Sequence, residues 1–375
     1  MIARTLEHTI HQKLHKGKAL IITGARQVGK TTLDKNLLKK YEPQALYLNC
    51  DEPDIRKNLT DATSSYLKKI IGNKTFLVID EAQRIPNAGL ALKLITDEIP
   101  DVQLLVTGSS TLEMADQTQE ALTGRTFQYH LYPFSFQEMV DHHGLLEEKR
   151  LLYQRLLFGG YPDVVNNPGD AKEILQNLSD SYLFKDLFTM QKIRKPDALQ
   201  YLLEALSLQV AQQVSYNELA QVTGTDVVTV SRYLDLLEKT FVIFRLRSFS
   251  RNVRNELKKS RKIYFWDNGI RNAVINNFSA IELRQDAGAL WENYIVSERF
   301  KKNMYAGNYA SSRFWRTKQQ QEIDYLEEVD GDISAFEIKW NKKARAKWPK
   351  TFTENYPVKD LNLITPDNYE EVLLE

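Results

Sequence analysis

The 375-residue sequence predicts an α/β fold whose N-terminal part is a parallel sheet flanked by helices. A glycine-containing loop at residues 24–31 lies between an apolar run and a helix-compatible segment, which gives the order strand, turn, helix. A second apolar run, at residues 75–79, is followed by two carboxylates, and a third, at residues 103–106, ends close to two serines. Strands that are buried on both faces read as continuous apolar runs, and polar groups gather at the carboxyl edge of a parallel sheet. These segments are therefore predicted to form one buried sheet.

Composition narrows the class of protein. Hydrophobic residues make up 42% and charged residues 26% of the chain, as in ordinary globular proteins of two or three domains at this length. Lys and Arg number 50 and Asp and Glu 49, so the net charge of +1 calls for no nucleic acid or membrane partner by itself. The single cysteine, Cys50, excludes an internal disulfide. No apolar run approaches a membrane span and residues 1–18 lack the apolar core of a secretion signal, which predicts a cytoplasmic protein without a membrane partner.

The loop at residues 24–31 matches the phosphate-binding pattern GxxxxGK[ST] at every fixed position. Its glycines let the backbone turn tightly, so that successive N–H groups face phosphate oxygens at the start of a helix. Lys30 is expected to reach the β- and γ-phosphates, and the Thr31 hydroxyl to ligate Mg²⁺, so ATP and Mg²⁺ are the predicted cofactors. The alternative, a turn that binds nothing, is disfavoured by the complete strand and helix context. The residues predicted to bind the nucleotide are Gly24, Ala25, Arg26, Gln27, Val28, Gly29, Lys30, Thr31 and Thr32.

The acids after the run at 75–79 complete this predicted ATPase site. Asp80 is placed to hold the Mg²⁺ shell, and Glu81 is the candidate to polarise the attacking water. In ATPases with such a loop, a polar residue at the end of the next strand contacts the γ-phosphate or orients the water. Ser109 is the choice here, with Ser110 as the alternative. Arg125 is a candidate to neutralise transition-state charge, in cis or from a neighbouring subunit, and its alternative is an ordinary surface or salt-bridge arginine.

Several sequence blocks occur together in a fixed order along the chain. The blocks are residues 24–32, 80–86, 107–110, 122–125, 131–136 and 159–162. In that order and combination they resemble the prokaryotic AAA-type ATPases that carry a C-terminal domain of unknown function numbered 4143. The likeness covers nearly the whole chain and implies an ATP-binding AAA+ fold for residues 1–140, followed by a helical lid at 141–196.

Residues 197–250 have the pattern of a winged helix-turn-helix. One apolar-periodic helix is followed by a second that begins with a capping box from Ser215 to Glu218, then by a third helix and a strand. In a DNA-reading version the third helix enters the major groove, whereas a winged helix that only contacts protein is the alternative. The residues predicted to face such a groove are Thr225, Thr229, Ser231 and Arg232.

A basic stretch at residues 245–262 follows, and its cations could neutralise phosphates and bind DNA. A solvated basic loop is the rival interpretation. The stretch contains one acid, Glu256, against eight cations: Arg245, Arg247, Arg251, Arg254, Lys258, Lys259, Arg261 and Lys262.

Residues 251–375 are predicted to form a restriction-endonuclease-like α/β domain. Asp324 begins a strand, and Glu337 and Lys339 point to the same face of another strand because they are two residues apart. Two carboxylates and a lysine suit metal-assisted phosphodiester cleavage, with Asp324 and Glu337 on Mg²⁺ and Lys339 on water or developing charge. The arrangement is similar to the PD-(D/E)xK nuclease core, in which Glu292 matches the helix acid and joins the metal ligands. Cleavage is left open, since such a domain can keep the fold and lose the activity.

The sequence as a whole predicts an ATP-hydrolysing AAA+ ATPase that acts on or with nucleic acid, with homo-oligomerisation left open. The alternative from another class is a nucleotide-dependent signalling switch whose C-terminal domains make only protein contacts.

Overall fold

The computed structural model describes residues 2–109, 122–180, 195–250 and 261–374. Ser110, four cations of the basic stretch (Arg251, Arg254, Lys258 and Lys259) and residues 181–194 of the expected lid lie outside the described residues. The chain divides into two compact units, Met1–Tyr132 with Lys239–Phe241, and Pro133–Glu238 with Val242–Glu375. Among the described residues, no helix is both long and apolar enough to cross a membrane.

The first unit alternates strands and helices as the sequence predicts. Its first strand is followed directly by the phosphate-binding pattern, and its third strand ends at Asp80, with Glu81 directly after it. The elements are α1 (Thr5–Lys13), β1 (Ala19–Thr23), α2 (Lys30–Tyr41), β2 (Ala45–Asn49), α3 (Pro53–Leu59), α4 (Ser64–Ile71), β3 (Phe76–Asp80), α5 (Ala88–Glu98), β4 (Gln103–Gly108) and β5 (Thr126–His130).

The five strands of the first unit form one parallel sheet in the order β2-β3-β4-β1-β5. Every residue of β1, β3 and β4 is buried, because helices cover both faces of the central strands. Register pairs Ile22 with Thr107 and Asn49 with Asp80, so the carboxyl ends of neighbouring strands meet at one edge. The predicted α/β class with a parallel sheet core is confirmed.

The second unit has helices on either side of a seven-stranded sheet. Its elements are α6 (Phe136–His143), α7 (Leu145–Arg150), α8 (Leu152–Phe158), α9 (Pro162–Asn166), α10 (Ala171–Leu178), α11 (Pro196–Leu208), β6 (Gln213–Val214), α12 (Tyr216–Val222), α13 (Val227–Lys239), β7 (Ile243–Ser248), β8 (Arg261–Phe265), α14 (Asn268–Val274), α15 (Ala287–Tyr305), β9 (Ser311–Arg316), β10 (Glu322–Val329), β11 (Asp332–Ile338), α16 (Lys350–Thr353), β12 (Val358–Ile364) and α17 (Tyr369–Leu374).

The seven strands run in the order β12-β11-β10-β9-β7-β8-β6. The strand β7 pairs in parallel with β9, through Arg247 with Arg313, and antiparallel with β8. Strands from the segment expected to be a winged helix therefore extend the sheet that carries Asp324 and Glu337. The boundary expected at residue 250 falls between two strands of this one sheet.

Helices expected to form the lid pack within the second unit. The Asn272 side chain on α14 donates hydrogen bonds to the carbonyls of Leu156 and Leu157 in α8, at 3.1 and 2.9 Å. At the end of α8, Gly159 has φ +70°, and a Cβ there would lie 2.0 Å from Oδ1 of Asp267. The adjacent Gly160 N–H donates to Asp267 at 2.7 Å. The two glycines thus form a tight turn against a buried carboxylate, and the sequence prediction of a turn at this point agrees with the structure.

Candidate functional site

The phosphate-binding loop connects the buried end of β1 to the first turn of α2. Gly29, immediately before α2, has φ 97°, and Gln27 within the loop has φ 60°. At Gly24 an added Cβ would lie 2.2 Å from the carbonyl oxygen of Leu131, so no side chain fits there. Glycine at 24 and 29 is therefore required by a close approach and by a left-handed backbone.

Lys30 turns back over this loop. Its Nζ donates to the carbonyl oxygens of Gly24 and Ala25 at 3.0 and 2.9 Å, and the residue is only 5% exposed. Burial lowers the pKa of Lys30, while the charges of Glu81 and Asp80 oppose that shift. A buried ammonium whose acceptors are two neutral carbonyls would gain from an anionic acceptor. The loop and its lysine therefore fit a bound polyphosphate.

Arg4 supports the same loop from outside, which the sequence did not indicate. Its guanidinium donates to the carbonyl of Val28 at 2.7 Å and also to the carbonyl of Tyr132. The residue is 7% exposed. With the Val28 carbonyl fixed by this arginine, the backbone of the loop is held in one orientation.

Asp80, at the end of β3, is the centre of a hydrogen-bond network. Its Oδ2 accepts from the Thr31 hydroxyl at 2.9 Å and from the Tyr47 hydroxyl at 2.7 Å. Its Oδ1 accepts from the backbone N–H of Glu81 at 2.9 Å and from the Thr107 hydroxyl. The structure thus brings together Thr31 and Asp80, as predicted for a Mg²⁺ shell, and adds two donors that the sequence analysis missed.

Behind Asp80 lies a second carboxyl group, Asp34, which is fully buried on α2. The Thr107 hydroxyl is 2.9 Å from Oδ2 of Asp34 while it also contacts Asp80. Burial and the charge of Asp80 raise the pKa of Asp34 well above its ordinary value. One hydroxyl has one proton and faces two carboxyl groups, so the neutral form of Asp34, which the raised pKa favours, satisfies this contact.

Glu81 is joined to Ser109 by a glutamine. The Gln83 amide nitrogen donates to a carboxylate oxygen of Glu81 and to the Ser109 hydroxyl at 2.9 Å. Gln83 is 8% exposed, and its amide oxygen has no hydrogen-bond partner. Glu81 itself has φ 54°, so the turn after β3 directs it away from the strand. The predicted water-polarising acid and the predicted γ-phosphate contact are therefore connected through one side chain.

Arg125 lies at the opposite edge of the sheet. Its backbone carbonyl accepts a hydrogen bond at 3.0 Å from the N–H of Ala19, the first residue of β1. The phosphate-binding loop follows the last residue of β1, at the other end of the strand. The five residues of β1 separate the two edges by roughly 16 Å. Its side chain pairs with Asp97 at 2.7 Å. Arg125 therefore does not reach the nucleotide of its own loop, and a role across a subunit boundary stays a prediction.

The donor set at the loop suits Mg²⁺. This ion favours oxygen ligands and is held by one or two protein oxygens together with phosphates and waters. The Thr31 hydroxyl and the Asp80 carboxylate are 2.9 Å apart and provide that pair. Within the described parts of the chain, no three His, Cys, Asp or Glu side chains converge to hold a metal without such help.

The second candidate site lies on β10 and β11 of the second unit. Asp324 Oδ2 accepts from Lys339 Nζ and from the backbone N–H of Ile338, both at 2.9 Å. Lys339 Nζ is also 2.7 Å from Glu337 Oε2. Burial and the charge of Asp324 raise the pKa of Glu337 to about 7, and Asp324 and Glu337 raise the pKa of Lys339 against its burial. The structure thus joins the predicted acid, acid and lysine in one cluster, with the ammonium between the carboxylates.

Glu292, on α15, has other partners. Its Oε1 accepts from Lys262 Nζ at 2.9 Å and from the Tyr264 hydroxyl at 2.8 Å. Lys262 Nζ also lies 2.6 Å from Glu322 Oε1. Burial raises the pKa of Glu292 to about 7, and the charge of Asp324 contributes to the rise. Glu292 therefore lies near the cluster electrostatically, but its carboxylate binds Lys262, whereas Asp324 and Glu337 bind Lys339.

The predicted DNA-facing residues are unevenly exposed. Arg232 on α13 is exposed, whereas Thr225, Thr229 and Ser231 are half-buried. Thr229 lies in the first turn of α13, and Asp226 immediately precedes that helix. The Thr229 hydroxyl and backbone N–H both donate to the Asp226 carboxylate, at 2.9 and 2.8 Å. Two cations of the basic stretch are already neutralised, since Arg245 pairs with Asp235 and Glu238, and Lys262 with two glutamates. The local charge available to phosphates is smaller than the residue count indicates.

Family models match most of the chain. A model described as an AAA domain matches residues 16–140. Two models described as domains of unknown function match residues 149–280 (DUF8612) and 287–371 (DUF4143).

Curated relatives come from bacteria. The uncharacterized protein Rv2008c of Mycobacterium tuberculosis is 27% identical over 336 residues, which cover 88% of this chain and 72% of that protein. An uncharacterized protein of Haemophilus influenzae is 26% identical over 288 residues, which cover 69% of this chain and 70% of that protein.

Solved structures resemble the chain only distantly. The Orc1 protein of Aeropyrum pernix, solved in complex with DNA, aligns over 74% of this chain and 93% of its own, with a TM-score of 0.35 and 12% identity. The Pif1 helicase from Candida albicans aligns over 48% of each chain, with a TM-score of 0.27 and 17% identity. TM-scores this low leave the function to be argued from the residues of the chain itself. The AAA domain at the start and the DUF4143 domain at the end confirm the resemblance to prokaryotic AAA-type ATPases that the sequence indicates.

Proposed function

We propose that the first unit binds ATP with Mg²⁺ and hydrolyses it. The observation that carries this proposal is the position of Asp80, which contacts the loop hydroxyl of Thr31 while its neighbour Glu81 is held beside Ser109. A site that only bound phosphate would need the loop and Lys30. The additional acid, with its own orienting amide, is what activation of a water requires.

Each group has a distinct task in this proposal. The backbone N–H groups of the loop and Lys30 bind the β- and γ-phosphates, and Thr31 and Asp80 hold Mg²⁺. The ion, when bound, supplies positive charge at the phosphate oxygens. Glu81 accepts the proton of the attacking water, Gln83 orients its carboxylate, and Ser109 donates to the γ-phosphate. Because its raised pKa favours the neutral form of Asp34, Thr31 and Asp80 are left as the pair that holds the cation.

The second unit is proposed to act on or with nucleic acid. The order α11, β6, α12, α13, β7, β8 is that of a winged helix, and an exposed Arg232 on α13 supports contact with DNA. The cluster of Asp324, Glu337 and Lys339 supports a PD-(D/E)xK-like site that takes a divalent ion and a phosphodiester. For Arg125, the proposal is a role in trans within a homo-oligomer, since its own nucleotide lies at the other edge of the sheet.

The test is ATP turnover by the full chain in Mg²⁺ buffer, alone and with duplex or single-stranded DNA, followed by inspection of that DNA for nicks. Turnover that DNA stimulates, with nicks that Asp324→Ala removes, supports an ATPase with a nuclease site. Turnover that ignores DNA, together with intact DNA, supports the nucleotide-dependent signalling switch instead. Absence of turnover contradicts the proposal for the first unit, whatever happens to the DNA.

A further inference from the structure

Lys262 is a buried lysine in the second candidate site, although the sequence places it among cations available to DNA. It lies on β8, and its side chain is 3% exposed. Its Nζ is 2.9 Å from Glu292 Oε1 and 2.6 Å from Glu322 Oε1. Burial alone would lower the pKa of Lys262, but these carboxylates outweigh burial and raise it. Two acids from other elements therefore hold this buried ammonium.

The partners of Lys262 are themselves held in place. Glu292 Oε1 also accepts from the Tyr264 hydroxyl at 2.8 Å, and Glu322 Oε2 lies 3.2 Å from Arg316. Four elements, α15, β8, β10 and β9, thus contribute to a row of alternating charges. A buried ion pair with additional hydrogen bonds is costly to separate, because either partner would remain as an uncompensated charge.

Lys339 is different, although it also lies between two carboxylates. Its side chain is 40% exposed, so it can move into solvent and leave Asp324 and Glu337 to another cation. The Lys262 side chain is buried and cannot move into solvent in this way. One ammonium in the cluster is therefore exchangeable and the other is fixed.

We propose that Lys262 is a fixed resident cation that occupies the place of a second divalent ion. The C-terminal site then holds one ion, between Asp324 and Glu337, and Glu292 is a counter-charge to Lys262 rather than a metal ligand. The inference rests on the proposed metal site of the second unit. Lys262 is a positioning residue, because it is too buried to touch substrate.

The test is a count of bound Mn²⁺ on the full-length chain by equilibrium dialysis without nucleotide, with Asp324→Asn subtracted to isolate this site. The wild type is expected to bind one ion there and Lys262→Met two, because removal of the ammonium frees Glu292 and Glu322. Folding of each variant is checked by circular dichroism. A wild-type count of two, or a folded Lys262→Met variant that still binds one, overturns the role of Lys262. Equal binding by wild type and Asp324→Asn contradicts the proposed metal site itself, and the Lys262 inference falls with it.

A second pair of variants keeps the test valid if Lys262→Met does not fold. Glu292→Gln is expected to change Mn²⁺ affinity less than about twofold, whereas Glu337→Gln weakens it at least about tenfold, the effect expected for loss of a charged ligand. Similar weakening in both variants would show that Glu292 is a ligand and would overturn the inference.

Discussion

Replacement of Gln83 by alanine tests whether the Gln83 side chain orients Glu81, the proposed water-activating acid of the first unit. Gln83→Ala removes the amide that donates to Glu81 and to Ser109. A hydrogen bond to a charged group is worth about 1.5–3 kcal/mol, which corresponds to a roughly 10- to 150-fold lower kcat if that bond is needed to hold Glu81 in the transition state. The KM for ATP is expected to change little, since the loop and Lys30 are unaffected.

Stability distinguishes this role from a structural one. The Gln83 amide oxygen is buried without a partner, a situation that costs about 1–3 kcal/mol, so its removal offsets the loss of the two donated bonds. The free energy of unfolding should therefore change little.

Gln103→Ala is the matched control: Gln103 is also buried, but its amide donates to the carbonyls of Lys18 and Leu104 at the other end of β4. That variant should lower stability and leave kcat unchanged. The reasoning is refuted if Gln83→Ala turns over ATP at the wild-type rate.

Three further results are expected. Asp34→Asn should raise the free energy of unfolding by about 1–2 kcal/mol, the usual scale of single substitutions. In the folded state the raised pKa favours the protonated form of Asp34, whereas the unfolded chain ionises above about pH 4, so the stability of the wild type falls as pH rises. Thermal unfolding should therefore show a larger gain in stability for Asp34→Asn at pH 8 than at pH 5, and an equal gain would contradict the sign. Arg4→Ala should weaken binding of a fluorescent ATP analogue about tenfold or more, because charge-assisted hydrogen bonds that hold the loop are lost. Arg56→Ala loses similar bonds to the carbonyls of Cys50 and Asp51 and should not weaken binding. Equal effects of the two substitutions would contradict a specific role of Arg4. Tyr47→Phe should raise the Mg²⁺ concentration needed for half-maximal turnover, because Asp80 loses an orienting donor, and an unchanged Mg²⁺ titration argues against this.

The parts of the site that are contiguous in sequence were predictable. The loop at residues 24–31 has a fixed spacing, and its glycines and Lys30 occupy the positions that local geometry requires. The strand before Asp80 was predictable because burial on both faces leaves an unbroken apolar run.

Partners that are distant in sequence were not predictable. Arg4 contacts Val28, and Tyr47 contacts Asp80, across separations that no period or motif encodes. Gln83 left a weak signal, an amide two residues after Glu81, but its link to Ser109 depends on how β3 and β4 align.

Lys262 shows why a count of charges misleads. In the sequence it is one of eight cations within a short stretch. Its two partners, Glu292 and Glu322, come from a helix and a strand further along the chain. Only the packing of those elements converts an apparent DNA contact into a buried ion pair.

The central claim, that the first unit hydrolyses ATP with Glu81 as the acid that activates water, is tested most directly by two variants measured side by side. ATP turnover in Mg²⁺ buffer and binding of ATP are measured for wild type, Lys30→Ala and Glu81→Gln. The account predicts that the wild type turns over ATP, that Glu81→Gln binds ATP without turnover, and that Lys30→Ala loses turnover. Normal turnover in either variant would contradict it.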